Sequence, residues 1–468
     1  MQNLKGLDAA FLALETPANH MQIIGAAVID PATVPSSGYP TFYDRVRALF
    51  EARIHLIPPL RRRVVNVPFG LYVPSWIDDP DFDLDYHIRR AALPAPGGPR
   101  ELEAFVASVA SRPLDRNKPL WEAYVVEGLE HGYQAFITKI HHSLIDGVAG
   151  VSIIAALFDL EADAPLVPPE TTDDFAPEAV PGEMHMLGRA VLSLGTQPQK
   201  MVRAITRSVP GLVRAVRRAR DEALNVALPL TAPKLTMNRK ITAHRVVAFS
   251  SISLADVKAV KNALGVTVND VVLAVNAGAL RHYLLARREL PEKPLVASIP
   301  TSVRGADDTE FGNRVSSMFA SLPVEIADPL ERLHAVAESM SAAKGVHEEV
   351  SDSTLQDWAE VAAPALFSRA MRAYSRLRIG ERLRPAINLI VSNVPGPPWP
   401  LYFAGARLVA LHPLGPIFDD AGLNVTVISY LDHIDFGFIG CRELLPDIHA
   451  LADAVPDALT ELKKAAAV

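Results

Sequence analysis

Residues 133–150 read YQAFITKIHHSLIDGVAG. Tyr133 to Ile140 is mostly apolar and reads as a strand, feeding a short polar turn that carries His141, His142, Asp146 and Gly147. Such an arrangement holds a reactive group at the rim of a rigid sheet. Successive side chains on a strand point to opposite faces. If the strand persists to His142, then Phe136, Thr138, Ile140 and His142 share one face, and Ala135, Ile137, Lys139 and His141 share the other. One histidine can therefore face a site while the other is built into the scaffold. The same divergence argues against both rings ligating one metal ion, and no metal site is expected.

An imidazole titrates near pH 6.5 and is suited to carrying the proton of an attacking hydroxyl. Asp146 either orients a histidine or pins the turn by accepting backbone or arginine hydrogen bonds. Gly147 suggests a backbone angle or a close approach that a side chain would block. The plain structural alternative is a strand ending in two satisfied histidines and an ordinary Asp-Gly turn.

HHSLIDG, residues 141–147, resembles the HHxxxDG pattern of acyl-CoA-dependent acyltransferases with the chloramphenicol-acetyltransferase-like fold, a pattern shared by peptide-synthetase condensation domains. Four further stretches narrow the resemblance to the bacterial wax ester synthase/diacylglycerol acyltransferase family. They are LDAAFLALE at 7–15, PLW at 119–121, ND at 269–270 and NLIVSNVPGP at 388–397. They span nearly the whole chain in the family's order.

The resemblance implies an α/β (α+β) fold of two chloramphenicol-acetyltransferase-like domains, each of mixed sheet and helices, with the active channel between them. It implies transfer of a long-chain acyl group from acyl-CoA to the hydroxyl of diacylglycerol or of a long-chain fatty alcohol. Acyl-CoA is then a co-substrate, CoA a product, and no cofactor is permanently bound. His142 would be the general base, His141 a supporting residue, and Asp146 and Gly147 parts of the turn's architecture. Asn269 is a candidate hydrogen-bond donor to the oxyanion or for positioning. No serine or cysteine sits in a convincing nucleophile motif, so transfer is expected to be direct.

The 468 residues are 49% hydrophobic, enough for a large core in two or three domains. The single cysteine, Cys441, excludes an internal disulfide and reads as a small buried hydrophobe. The N-terminus is unlike a secretory leader, and no apolar run reaches the ~20 residues needed to span a bilayer. A cytoplasmic location, peripheral to the inner membrane or lipid droplets, is expected. The formal net charge of -7 argues against nucleic acid as a partner.

Three domain-scale pieces follow: residues 1–180 carrying HHSLIDG, a linker and basic helical crossover at 181–240, and a second acyltransferase-like domain at 241–468. Glu161 to Gly182 is rich in proline and acidic residues and reads as a long exposed linker. Met184 to Leu228 reads as helical and carries Arg203, Arg207, Arg214, Arg217, Arg218 and Arg220 between apolar residues. Such a helix either lies on an anionic membrane or lipid-droplet surface or presents a solvated arginine face between domains. A second series, Arg369, Arg372, Arg376, Arg378, Arg382 and Arg384, is either a partner for the phosphates of coenzyme A or another solvated face.

In Ser75 to Ile88, aspartates alternate with Phe82, Leu84 and Tyr86 from Asp81 onward, a pattern expected to be extended and half-buried. The stretch lacks the glycine and closing glutamate of a calcium loop. Trp121 is expected to floor the site or simply to fill the core. Val151 to Leu160 is expected to continue helically after the turn, and Val268 to Arg288 as a long helix with Asn269 or Asp270 in its first turn. Three readings compete with the acyltransferase: a condensation-like enzyme with an amine nucleophile, a non-catalytic lipid-surface protein, and a histidine/acid metal hydrolase.

Overall fold

The stretch that opens the sequence reading forms a strand of eight residues near the middle of a seven-stranded sheet. The computed structural model describes residues 2–4, 6–35, 38–68, 73–144, 153–166, 175–179, 230–302, 315–349 and 384–468, with residues 182, 184, 186, 188, 373 and 376 singly. In chain order the strands of the first half are β1 (Gln2–Asn3), β2 (Gln22–Asp30), β3 (Arg62–Val65), β4 (Ser75–Asp78), β5 (Ile88–Ala92), β6 (Trp121–Glu127), β7 (Gln134–His141) and β8 (Phe158–Asp159). The second half adds β9 (Arg245–Ser253), β10 (Leu295–Ser302), β11 (Val315–Leu322), β12 (Leu389–Val394), β13 (Tyr402–Phe403), β14 (Ala406–Leu414), β15 (Leu423–Tyr430) and β16 (His433–Cys441).

Sheet one runs β5-β6-β7-β2-β14-β13-β8, sheet two runs β11-β10-β12-β15-β16-β9, and β1, β4 and β3 form a small third sheet. β6 and β7 form a hairpin in antiparallel register, Trp121 opposite Ile140. β14 covers Ala406 to Leu414. It belongs to sheet one, antiparallel to β2, although its sequence position is in the second half. The chain leaves sheet two after β12, contributes β13 and β14 to sheet one, then returns as β15 and β16. Sheet membership therefore does not follow a linear cut of the chain.

The principal helices are α1 (Gly6–Leu14), α2 (Phe42–Arg53), α3 (Leu84–His87), α4 (Pro99–Ala110), α5 (Leu254–Leu264), α6 (Val268–Ala286), α7 (Pro329–Glu349) and α8 (Ile448–Ala465). Their ends are set by local chemistry. The Ser253 hydroxyl accepts from Asp256 N–H to start α5, and Gly265, with φ 68°, ends it in the left-handed region. Thr267 and Asp270 form a reciprocal capping box at the start of α6.

Two apolar cores follow from the strand alternation. One face of sheet one, with Ala27, Trp121, Phe136 and Ile140, packs under α2 through Val46, Leu49 and Phe50. The other, with Ile24, Ala26, Ala135 and Ile137, belongs to the same apolar cluster as α4, β9, β16, α6 and α8. The halves thus share a core, and polar ties cross it. Glu103 of α4 accepts from Phe249 N–H of β9 at 2.8 Å, and Arg245 donates to the Ala18 carbonyl at 2.6 Å.

Several expectations change in the folded chain. The segment from Asp81, expected to be extended, instead enters the helical turn α3 at Leu84, because the Asp83 carboxylate accepts from Asp85 N–H. Arginines meet the aspartates: Arg62 meets Asp78, Arg63 meets both buried Asp79 and Asp81, and Arg47 meets Asp85 at 2.6 Å. The helix after the turn is described at 153–157 and gives way to β8, which pairs with β13.

The described parts of 161–182 are not a free linker. Arg53 donates to the Pro165 carbonyl, the Arg61 guanidinium lies 4.3 Å from the Phe175 ring centre, and Glu178 N–H donates to the Asp78 carbonyl. The first arginine series lies outside the described residues. Of the second, Arg376 and Arg384 are described, and both are exposed.

Candidate active site

β7 ends at His141, so the two histidines part company there. His141 N–H donates to the Leu120 carbonyl of the PLW stretch, and His142 N–H to the Met21 carbonyl just before β2. Backbone pairing on both sides thus fixes the point where the strand becomes a turn.

The side chains have different surroundings. His141 is fully buried. Its Nδ1 accepts from Ser143 N–H at 3.0 Å and lies 2.7 Å from Ser143 Oγ. The ring proton therefore belongs on Nε2. Burial pushes the His141 pKa well below its ordinary value, helped by the charges of Arg116 and His142, so the ring is neutral. His142 is only half-buried, and its ring lies against Phe11 of α1, centres 4.3 Å apart.

Behind His141 stands a second polar group. His141 Nε2 is 3.7 Å from Glu15 Oε1, too long for a hydrogen bond, and neither atom has a hydrogen-bond partner among the described residues. Glu15 Oε2 accepts two hydrogen bonds from Arg116, at 2.6 and 2.9 Å, and Arg116 also donates to the Leu12 carbonyl. On the same strand face, Lys139 is fully buried with Nζ 3.4 Å from Glu122, and burial lowers its pKa.

Trp121 is a core aromatic. It lies between the His87 ring at 4.5 Å and the Phe50 ring at 5.6 Å, and its indole N–H donates to the Leu60 carbonyl at 2.7 Å. Burial holds His87 down to about 4, so this stack is neutral at ordinary pH.

The ND pair divides its labour. Asp270 is spent on the capping box, accepting from Thr267 N–H at 2.9 Å and Thr267 Oγ1 at 2.7 Å. Asn269 Oδ1 instead accepts from Asn393 Nδ2 at 3.2 Å. Asn393 lies in β12, within NLIVSNVPGP, so two stretches far apart in sequence meet there. Gly396 serves close approach in this segment: a Cβ there would lie 1.9 Å from the Ser429 carbonyl oxygen. NVPGPP is also the crossing from β12 to β13, and so joins the two sheets.

A cavity of about 860 Å³ lies elsewhere, lined in part by Lys234, Arg239, Lys240 and Glu289. Glu289 follows the C-terminal end of α6, whereas Asn269 is in its first turn. From Asn269 to the helix end at Ala286 is about 25 Å, so this cavity is separate from the Asn269–Asn393 contact. Cys441 is buried at the end of β16, as a small apolar residue would be. Asp146 and Gly147 lie outside the described residues.

The sequence reading did not bring Phe11, Glu15, Arg116 or Asn393 to this region. A signal was present for two of them: Phe11 and Glu15 are four apart in LDAAFLALE, hence on one helical face.

Residues 4–272 match the family described as the wax ester synthase/diacylglycerol acyltransferase catalytic domain, and residues 311–463 match the WS/DGAT C-terminal domain. A Mycobacterium tuberculosis protein provisionally named a diacylglycerol O-acyltransferase is 38% identical over 468 residues, covering 99% of this chain and 90% of the relative. The wax ester synthase/diacylglycerol acyltransferase of Marinobacter aquaeolei VT8 superposes with a TM-score of 0.72 at 30% identity, covering 100% of both chains. The starter condensation domain of rhizomide synthetase, solved with C8-CoA and Leu-SNAC, shares the fold with a TM-score of 0.56 at 14% identity, covering 100% of this chain and 94% of that one.

Proposed function

Because the chain belongs to the wax ester synthase/diacylglycerol acyltransferase family, we propose that it esterifies diacylglycerol, a long-chain fatty alcohol, or both, with a long-chain acyl group from acyl-CoA. One observation carries the assignment of the base. Of two adjacent histidines, His141 is sealed and neutral in the scaffold, while His142 is half-exposed where β7 ends.

His142 takes the proton of the acceptor hydroxyl as its oxygen attacks the thioester carbonyl carbon. The new C–O bond forms, the C–S bond breaks, and the CoA sulfur leaves and receives that proton. Such a base contributes roughly 10²–10⁴-fold. Alignment of the two substrates contributes more, since effective molarities reach about 10⁵ M or above. Asn269, held by Asn393, is the candidate donor to the developing oxyanion. Asp146 and Gly147 maintain the turn. Acyl chains favour an apolar channel by about 0.8 kcal/mol per buried CH₂.

The test is an acceptor panel of diacylglycerol, hexadecanol and a primary amine, run with palmitoyl-CoA and with wild type and His142→Ala. Ester formation abolished in a folded His142→Ala supports the proposal. Exclusive amide formation, or full activity of that variant, rejects it.

Peripheral attachment to the cytoplasmic face of the inner membrane or to lipid droplets is part of the same proposal and rests on the arginine-rich sequence around 203–220. Among the described residues no single helix is long and apolar enough to cross a membrane. The bent pair α5–α6 passes by length and composition, but it turns by 107° and most of α6 is core. Neutralising Arg214, Arg217 and Arg218 is expected to weaken sedimentation with anionic liposomes; unchanged sedimentation rejects the membrane claim.

A further inference from the structure

The motif LDAAFLALE enters the family resemblance without a task of its own. In α1 the core takes Ala9, Leu12 and Ala13, while Asp8 and Phe11 share a flank whose i, i+3, i+7 spacing continues to Glu15, the residue just after the helix. Asp8 is buried. Phe11 lies against the ring of His142 in a tilted contact, centres 4.3 Å apart and planes inclined by 32°. One turn later, Glu15 aims its Oε1 at His141 Nε2, both atoms buried and without a hydrogen-bond partner among the described residues, while Arg116 holds the other carboxylate oxygen. Phe11 of α1 and Glu15 just beyond its end thus address the two histidines, one each.

We infer that α1 and the residue just beyond its end orient the histidine pair: Phe11 is a positioning residue for the His142 ring, and Glu15, braced by Arg116, is a positioning residue for His141. This rests on His142 being the base. An imidazole has two rotatable side-chain torsions, and backbone hydrogen bonds act on neither. A ring against one face opposes the rotations that would swing the nitrogens away from a substrate. A contact on the ring face does not itself occupy the ring edge, where the nitrogens are. Glu15 acts one step further back. A carboxylate facing Nε2 favours the tautomer with the proton on Nε2, which leaves Nδ1 as the acceptor for Ser143 N–H and holds the first residues of the turn.

The experiment compares Phe11→Leu, Phe11→Met, Phe11→Tyr and Glu15→Gln with wild type and His142→Ala, in the full-length protein. It reads kcat and KM for palmitoyl-CoA and for the acceptor alcohol, with thermal unfolding alongside. A misaligned base lowers the rate in the bound state without weakening binding. Phe11→Leu and Phe11→Met are therefore expected to lower kcat about tenfold or more with KM within about twofold. Phe11→Tyr, which keeps the flat ring, is expected to restore most of kcat. Glu15→Gln is expected to lower kcat by a smaller factor. If the leucine variant fails to fold, the methionine variant supplies the same comparison at similar volume.

Wild-type kcat in folded Phe11→Leu or Phe11→Met, beside an inactive His142→Ala, overturns the positioning role and leaves the base assignment standing. An active His142→Ala overturns the base, and the positioning role with it. A loss in Phe11→Leu that Phe11→Tyr does not recover, tracking a fall in Tm, reduces Phe11 to packing and also overturns the inference.

Discussion

At the scale of single residues, adjacent side chains of the same type do different work because burial treats them differently. His141 loses its water entirely and stays neutral, and its Nδ1 is committed to Ser143. His142, one residue on, keeps partial exposure. The pair Asn269–Asp270 follows the same logic. Asp270→Ala removes the capping box of α6 and is expected to cost about 1 kcal/mol of stability with little change in kcat. Asn269→Ala should do the reverse, with stability nearly unchanged and kcat lowered by about 10²-fold if its amide reaches the oxyanion. Parallel unfolding curves and steady-state rates check both, and a normal kcat in Asn269→Ala removes that residue from the chemistry.

At the scale of elements, the crossing from β12 to β13 depends on close backbone approach. Gly396 N–H donates to Ser429 Oγ at 3.2 Å, and the space for a Cβ is filled by the Ser429 carbonyl. Backbone cannot yield as a flexible side chain does. Gly396→Ala is therefore expected to destabilise by at least about 2 kcal/mol, or to leave the chain insoluble. A denaturation midpoint equal to wild type would show that the crossing tolerates a shift. The hairpin β6–β7, the capped helix α5 and the last two strands follow short-range signals: alternation, a serine cap, a two-residue turn. The acidic stretch from Asp81 departs from the extended form that alternation suggested, because a local carboxylate-to-backbone hydrogen bond at Asp83 outcompeted it.

At the scale of the whole molecule, the sheets are stitched by a buried carboxylate. Asp435 of β16 accepts from Leu411 N–H of β14 at 2.9 Å and from the Ser251 hydroxyl of β9, and lies 3.3 Å from His433 Nε2. Its hydrogen bond to Asp435 lifts His433 to about 9, burial opposing. A raised pKa means that the folded state holds the proton more tightly than the unfolded chain. The resulting stabilisation, at most roughly 3 kcal/mol, is complete below about pH 6.5 and disappears as pH rises through about 9. The Tm difference between wild type and His433→Gln should therefore be largest near pH 6 and close by about pH 10. A difference that does not vary with pH would mean that the histidine acts through packing alone.

By itself the sequence determined what lies within a few residues: which stretches alternate, where helices are capped, and that HHSLIDG sits where a strand runs out. Its motif order also identified the family. The tertiary structure decided that β14 belongs to sheet one, that Phe11 of α1 and Glu15 just after it face the histidines, that Asn393 meets Asn269, and that Asp78 and Asp85 meet Arg62 and Arg47 while Asp79 and Asp81 share Arg63. The reason is one of range. Hydrogen-bond periodicity and turn chemistry act between near neighbours in the chain. Which surfaces meet is set by the burial of a core shared between distant segments, and no local pattern records that.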